Sequence, residues 1–204
     1  MKNNKPIYIY IASCLSMLVP APARLAYGLI LILEVNFITF FSILSQSLIR
    51  NLRVDEFSKP LNFAFLFLFV LLYQQILNLY SPIISFTLGF NIYLTALAAI
   101  PSVFFTSDYI FSQNLSRRIK YSFKHCYLFS ILALFFYVIR DLFAFGTLTF
   151  PGRFGIIEFK LIPVLYNFNS FFFNSILFAL ILLALFLAFV SLINRKFEII
   201  RRAM

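Results

Sequence analysis

Apolar runs separated by short polar intervals organise this chain from end to end. Residues 7–19 form a short apolar run that Pro20 and Pro22 stop. Runs over 25–49, 61–80, 127–145 and 171–193 each approach or exceed the roughly 20 residues that a helix needs to cross a ~30 Å hydrocarbon core. A further run, 83–105, is long enough but is interrupted by Gly89, Asn91 and Pro101. Between them lie a charged loop at 50–59, a tight turn at Ser81-Pro82 and the most polar stretch, 108–124. A loop at 147–169 and a basic tail of Arg195, Lys196, Arg201 and Arg202 complete the pattern, and Pro60 suits the first turn of the third segment. The pattern predicts an all-α polytopic membrane protein, six helical segments in one membrane domain over 1–204.

The irregular segments are the first and the fourth, each opening a three-segment half, about 7–80 and 83–194. Interrupted segments at corresponding places in two halves point to an inverted repeat with a site near the membrane midplane. Ile49-Arg50-Asn51 and Ile139-Arg140-Asp141 sit 90 residues apart and support the same duplication.

Composition agrees. Hydrophobic residues make up 62% and charged ones 12%, with a mean hydropathy of +0.94, beyond what a soluble domain of this size can bury. The net charge of +10 indicates lipid headgroups rather than nucleic acid, because the cations fall between apolar runs. If all six segments cross, 13 Lys and Arg residues lie on the side of the termini and 4 on the other: Arg24, Arg140, Arg153 and Lys160. Positive charge is retained inside, so both termini are expected in the cytoplasm of a bacterial-type inner membrane. Lys2 and Lys5 before an apolar run resemble a signal peptide, but Pro20-Ala21-Pro22-Ala23 is a poor cleavage site and the segment is read as retained.

The candidate chemistry is sparse. Two cysteines, Cys14 and Cys126, are too few for a disulfide scaffold, and the acids are scattered, so autonomous catalysis is not expected. Glu34 and Asn36 lie inside a span; Glu34 reads either as an ion-path carboxylate or as a partner for a cation such as Arg24. Arg140 and Asp141 are adjacent and diverge on a helix, which suits tying the helix end to neighbouring loops, with Arg50 as the symmetry mate of Arg140. Gln74, Gln75, Asn78 and Asn91 read as a polar path or as polar contacts between helices. His125-Cys126 offers two metal ligands at most.

The stretches Ser47-Leu48-Ile49-Arg50-Asn51, Gln75-Ile76-Leu77 and Ile139 through Leu148 resemble the integral membrane subunits of the Rnf electron-transport complex and of the sodium-pumping NADH:quinone reductase, Nqr, over about residues 8–194. The resemblance implies six helices in two inverted halves, an oppositely oriented paralogue and other membrane subunits as partners. It also implies a shared iron–sulfur cluster that passes electrons across the membrane, coupled to ion movement, with this chain a non-catalytic subunit. Cys14 falls where the first-segment ligand belongs, whereas Ala99 stands where the fourth-segment cysteine is expected. A helical scaffold with residual ion-path duty is the reading this departure favours. The alternative is a small-molecule transporter module, similar to the substrate-binding subunit of an energy-coupling-factor importer.

Overall fold

A computed structural model describes residues 14–16, 18–52, 57–95, 97, 100, 115–153, 155–162 and 171–203. Within them the chain is mostly helical: α1 (Leu25–Asn51), α2 (Ser58–Tyr80), α3 (Pro82–Leu88), α4 (Leu115–Phe145), α5 (Phe171–Asn174) and α6 (Ile176–Ala203), with strands β1 (Thr147–Gly152) and β2 (Gly155–Lys160) between α4 and α5. Residues 14–16 and 90–95 are also helical. Segments over 25–49, 60–80 and 122–145 are long and apolar enough to cross a membrane, and 176–189 is a shorter apolar helix.

α1 is the central helix. It runs antiparallel to α4: Asn36 meets Ser130 and Phe40 meets Phe123. It also runs antiparallel to α2, where Tyr73 reaches Ile30 and Phe41 packs on Phe69. Gly28 allows the α1–α4 approach, since a Cβ there would overlap the Tyr137 ring. α6 packs antiparallel to α4 through Phe143–Phe178 and Phe135–Phe186.

An apolar core that includes Leu31, Val35, Ile38, Phe129 and Phe136 is buried, and apolar side chains cover the outside of the helices as well. Thr39, Ser42, Ser45, Gln46, Thr95 and Ser122 are buried, whereas Leu68, Leu71, Leu72 and Ile76 of α2 and Leu177, Leu180 and Leu185 of α6 face outward. Lipid tails solvate such outward faces, and backbone groups inside them are satisfied within each helix.

The structure departs from the segment pattern in three places. Residues 147–160 form an antiparallel hairpin rather than a loop, with Thr147 opposite Lys160 and Gly152 opposite Gly155. α4 begins at Leu115, so much of the polar stretch 108–124 is helix. The basic tail is not a separate arm, because α6 carries helix through Arg195, Lys196, Arg201 and Arg202. The interruption expected at Gly89 is present: its φ of 41° ends α3 before helix resumes at residue 90. Residues 1–13 and 101–114 lie outside the described residues.

Candidate functional site

Two polar centres lie inside the helical frame. The first is at the end of α4. Its last turns present Tyr137, Arg140 and Asp141 to the corner that joins the first segment to α1. The Tyr137 hydroxyl donates to Leu18 O (2.9 Å), and Arg140 Nη1 donates to Val19 O (3.1 Å) and Ala21 O (2.8 Å). These carbonyls belong to a segment that Pro20 and Pro22 prevent from continuing as helix. Asp141 serves the opposite polarity. Its Oδ2 accepts from Leu25 N (3.1 Å), Thr149 N (2.9 Å) and Thr149 Oγ1 (2.8 Å), and its Oδ1 accepts from Thr147 Oγ1 (3.2 Å). Thr149 Oγ1 in turn accepts from Ala26 N (3.0 Å).

The adjacency of Arg140 and Asp141 thereby acquires a physical account. The cation takes carbonyls at the end of one segment, and the anion caps the first amides of the next helix. Both side chains are essentially unexposed, and Arg140 is therefore an interior cation rather than the loop cation that the charge count assumes. Gly146, with φ of 64°, ends α4, and its carbonyl accepts from both Leu161 N and Ile162 N (3.0 Å each), closing the hairpin onto the helix end.

The second centre surrounds Glu34, nine residues into α1 and so about 13 Å along the helix axis, near the middle of a ~30 Å hydrocarbon layer. Glu34 is wholly buried. Its Oε2 accepts from Thr95 Oγ1 (2.6 Å), and its Oε1 has no hydrogen-bond partner among the described residues. One turn away, Tyr73 of α2 donates to Ile30 O (2.7 Å), and Tyr93 donates to Gln74 Oε1 (2.5 Å). Asn91 is half-buried one turn before Thr95, on the same helical face. Glu34 does not pair with Arg24: Arg24 is in a salt bridge with Glu158 of β2 and lies 4.8 Å from the Phe145 ring centroid. A buried carboxylate with one open oxygen can take up a proton, a metal cation or a protonated amine.

The remaining candidates separate from these centres. Asn36 Nδ2 donates to Ile32 O and Ser130 Oγ (2.8 Å each), which fastens α1 to α4. Gln75 and Asn78 are exposed on α2, and Gln74 beside them bonds inward to Tyr93. Arg50 lies in the last turn of α1, at the end opposite the Arg140 corner; Ala99 lies outside the described residues. Cys14 and Cys126 are buried and in no disulfide, and Cys126 lines a small cleft with Asn36, Thr39 and Ser122. Among the described residues no three His, Cys, Asp or Glu groups converge to hold a metal.

Thr95, Tyr137, Thr147 and Thr149 are the polar residues that hydropathy along the chain does not single out. The alternation Thr147-Leu148-Thr149-Phe150, the Pro151-Gly152 pair at the end of β1 and the run Gly155 to Lys160 together carry a hairpin signal that locates the last two. Apolar helices of spanning length, with polar groups turned inward, are compatible with a multi-pass membrane protein. No family model matches the chain, and neither a curated protein nor a solved structure matches it.

Proposed function

We propose that this protein is a membrane subunit of an Rnf/Nqr-type complex, in which it provides a helical scaffold and a cation path through Glu34. The observation that carries the reading is the carboxylate itself. It is buried mid-span, bonded on one oxygen only among the described residues, at the meeting of α1, the 90–95 helix and α2. An ionised group in that position is costly unless a cation or proton compensates it, which is the requirement of a binding station along a path.

The placement of charge supports the expected orientation. The antiparallel packing of α1, α2, α4 and α6 gathers residues 50, 59, 117, 118, 120 and 124, and the cations of the last turns of α6, at one end of the helices. With Arg140 withdrawn into the interior, Arg24, Arg153 and Lys160 remain at the other end. The basic end faces the cytoplasm under the positive-inside rule, in a bacterial-type inner membrane. Arg50 and Arg140 lie toward opposite ends of the α1–α4 pair, the relation an inverted repeat requires.

The cluster is a different matter. Cys14 supplies one buried thiol, and the position expected to supply the second is Ala99, so the donor set of this chain does not fit a cluster of the family's kind. No electron-transfer step is assigned to it.

Purification of the tagged chain from its native membranes in mild detergent, with mass spectrometry of what accompanies it, tests the reading. Flavoprotein subunits and an oppositely oriented paralogue are expected. Recovery of ATPase and coupling subunits would instead identify an importer module, for which the inward-facing Gln74, Tyr93 and Thr95 would line a small-molecule site. Recovery of the chain alone would contradict both.

A further inference from the structure

The hairpin has its polar face toward the protein and its apolar face outward. Cross-strand register groups Thr147, Thr149 and Pro151 with Lys160, Glu158 and Ile156 on one face, and Leu148 and Phe150 with Phe159 and Ile157 on the other. The first face meets the helices: Thr147 and Thr149 bind Asp141, and Glu158 pairs with Arg24. On the second face, Phe150, Ile157 and Phe159 are 43%, 52% and 56% exposed, and the two rings meet edge-on at 5.9 Å.

We propose that this face is seated in lipid at the membrane interface, making the hairpin an interfacial anchor at the end of the helices opposite the basic cluster. Three observations select lipid at that depth. First, the hairpin continues the outward-facing surface of α4 without a linker. Phe143 in the last turn of α4 is exposed, one residue separates α4 from β1, and Leu161, also exposed, is hydrogen-bonded back to Gly146.

Second, the apolar face is small. Three half-exposed side chains offer on the order of 300 Å², well short of the ~800 Å² that each partner gives to a standard protein interface. Third, β2 is an edge strand: β1 pairs with one side of it, and no other strand among the described residues covers the other. Unpaired backbone groups are not tolerated in the hydrocarbon core, so the hairpin belongs where water reaches that edge. Arg153 at the turn and Lys160 on β2 are exposed and place positive charge at headgroup level.

The chain has no tryptophan, so one introduced residue is a unique fluorophore. Phe159→Trp is reconstituted in phosphatidylcholine–phosphatidylglycerol vesicles, beside Leu180→Trp on the outward face of α6 as a span control. The anchor predicts blue-shifted emission for Phe159→Trp and weak quenching by acrylamide. Lipids brominated near the headgroup end of the acyl chain should quench it more than lipids brominated near the chain terminus, while Leu180→Trp shows the opposite preference. Quenching of Phe159→Trp by acrylamide without bromolipid quenching would put the face in water. Protection from both quenchers would put it under protein, such as a second copy of this chain. Either result overturns the anchor while leaving the membrane reading intact, whereas loss of bromolipid quenching at Leu180→Trp would overturn the membrane reading itself. Phe150→Trp, on the same face, repeats the test should Phe159→Trp fail to reconstitute.

Discussion

Replacing Asp141 with alanine removes the acceptor that caps α1 from outside its own chain segment. Two buried amides, Leu25 N and Thr149 N, then lose their carboxylate partner, while the hydroxyls of Thr147 and Thr149 can rotate toward other acceptors. An orphaned buried amide costs ~1–3 kcal/mol. Hydrogen bonds between membrane helices average only ~0.6 kcal/mol, because the unfolded chain in the membrane also finds partners. One of these amides opens α1 and the other lies within β1, and both are buried, so the loss is placed at about 2–4 kcal/mol. Asp141→Asn keeps one carbonyl oxygen for the amides, and its Nδ2 can donate to Thr147 Oγ1, so the cost falls to about 1 kcal/mol. The assay is reversible denaturation by sodium dodecyl sulfate in mixed micelles, followed by far-ultraviolet circular dichroism. An alanine variant within ~0.5 kcal/mol of the parent, the range of an ordinary surface substitution, would refute the capping account. An asparagine variant as damaged as the alanine one would refute the division of labour between the two oxygens.

Other consequences follow from the same contacts. Gly28→Ala forces a methyl into the Tyr137 ring and should cost about 1–3 kcal/mol in the same titration. Arg140→Lys shortens the side chain and withdraws the one nitrogen, Nη1, that serves both carbonyls; it should cost about 1–2 kcal/mol, with the corner at 18–26 becoming more accessible to proteolysis in micelles. Glu158→Gln breaks an ion pair whose side chains are 29% and 32% exposed, so its effect should stay below about 1 kcal/mol and shrink further in high salt. Cys14 and Cys126 are buried and should react with a membrane-permeant maleimide far more slowly in folded vesicles than after denaturation.

The helical frame is largely legible in the sequence because spanning length and hydropathy act locally: the boundaries near Leu25, Tyr80 and Phe145 are marked by Arg24, Ser81-Pro82 and Gly146. Arg140, Asp141 and Glu34 stand out because charge inside an apolar run has few bland explanations. Their partners do not stand out. Leu25 meets Asp141 only because α1 and α4 run antiparallel, Thr149 because β1 turns back at Gly146 onto the end of α4, and Thr95 reaches Glu34 across 61 positions of chain. The hairpin reads as a loop when hydropathy alone sets the elements, because its alternation inverts the usual polarity, with threonines inward and phenylalanines outward. The early start of α4 is hidden by Arg117, Arg118, Lys120 and Lys124, good helix formers that read as loop when hydropathy alone sets the boundary.

The central claim is that Glu34 is a station on a cation path, and cation uptake into proteoliposomes holding the chain with its co-purified partners tests it most directly. Wild type, Glu34→Gln and Glu34→Asp are compared with sodium- and proton-sensitive dyes under the same driving force. Uptake lost in Glu34→Gln, partly retained in Glu34→Asp, with equal assembly of all three, is the result predicted. Equal uptake by wild type and Glu34→Gln would contradict it, and would leave Glu34 as a polar contact to Thr95 holding α1 to the 90–95 helix.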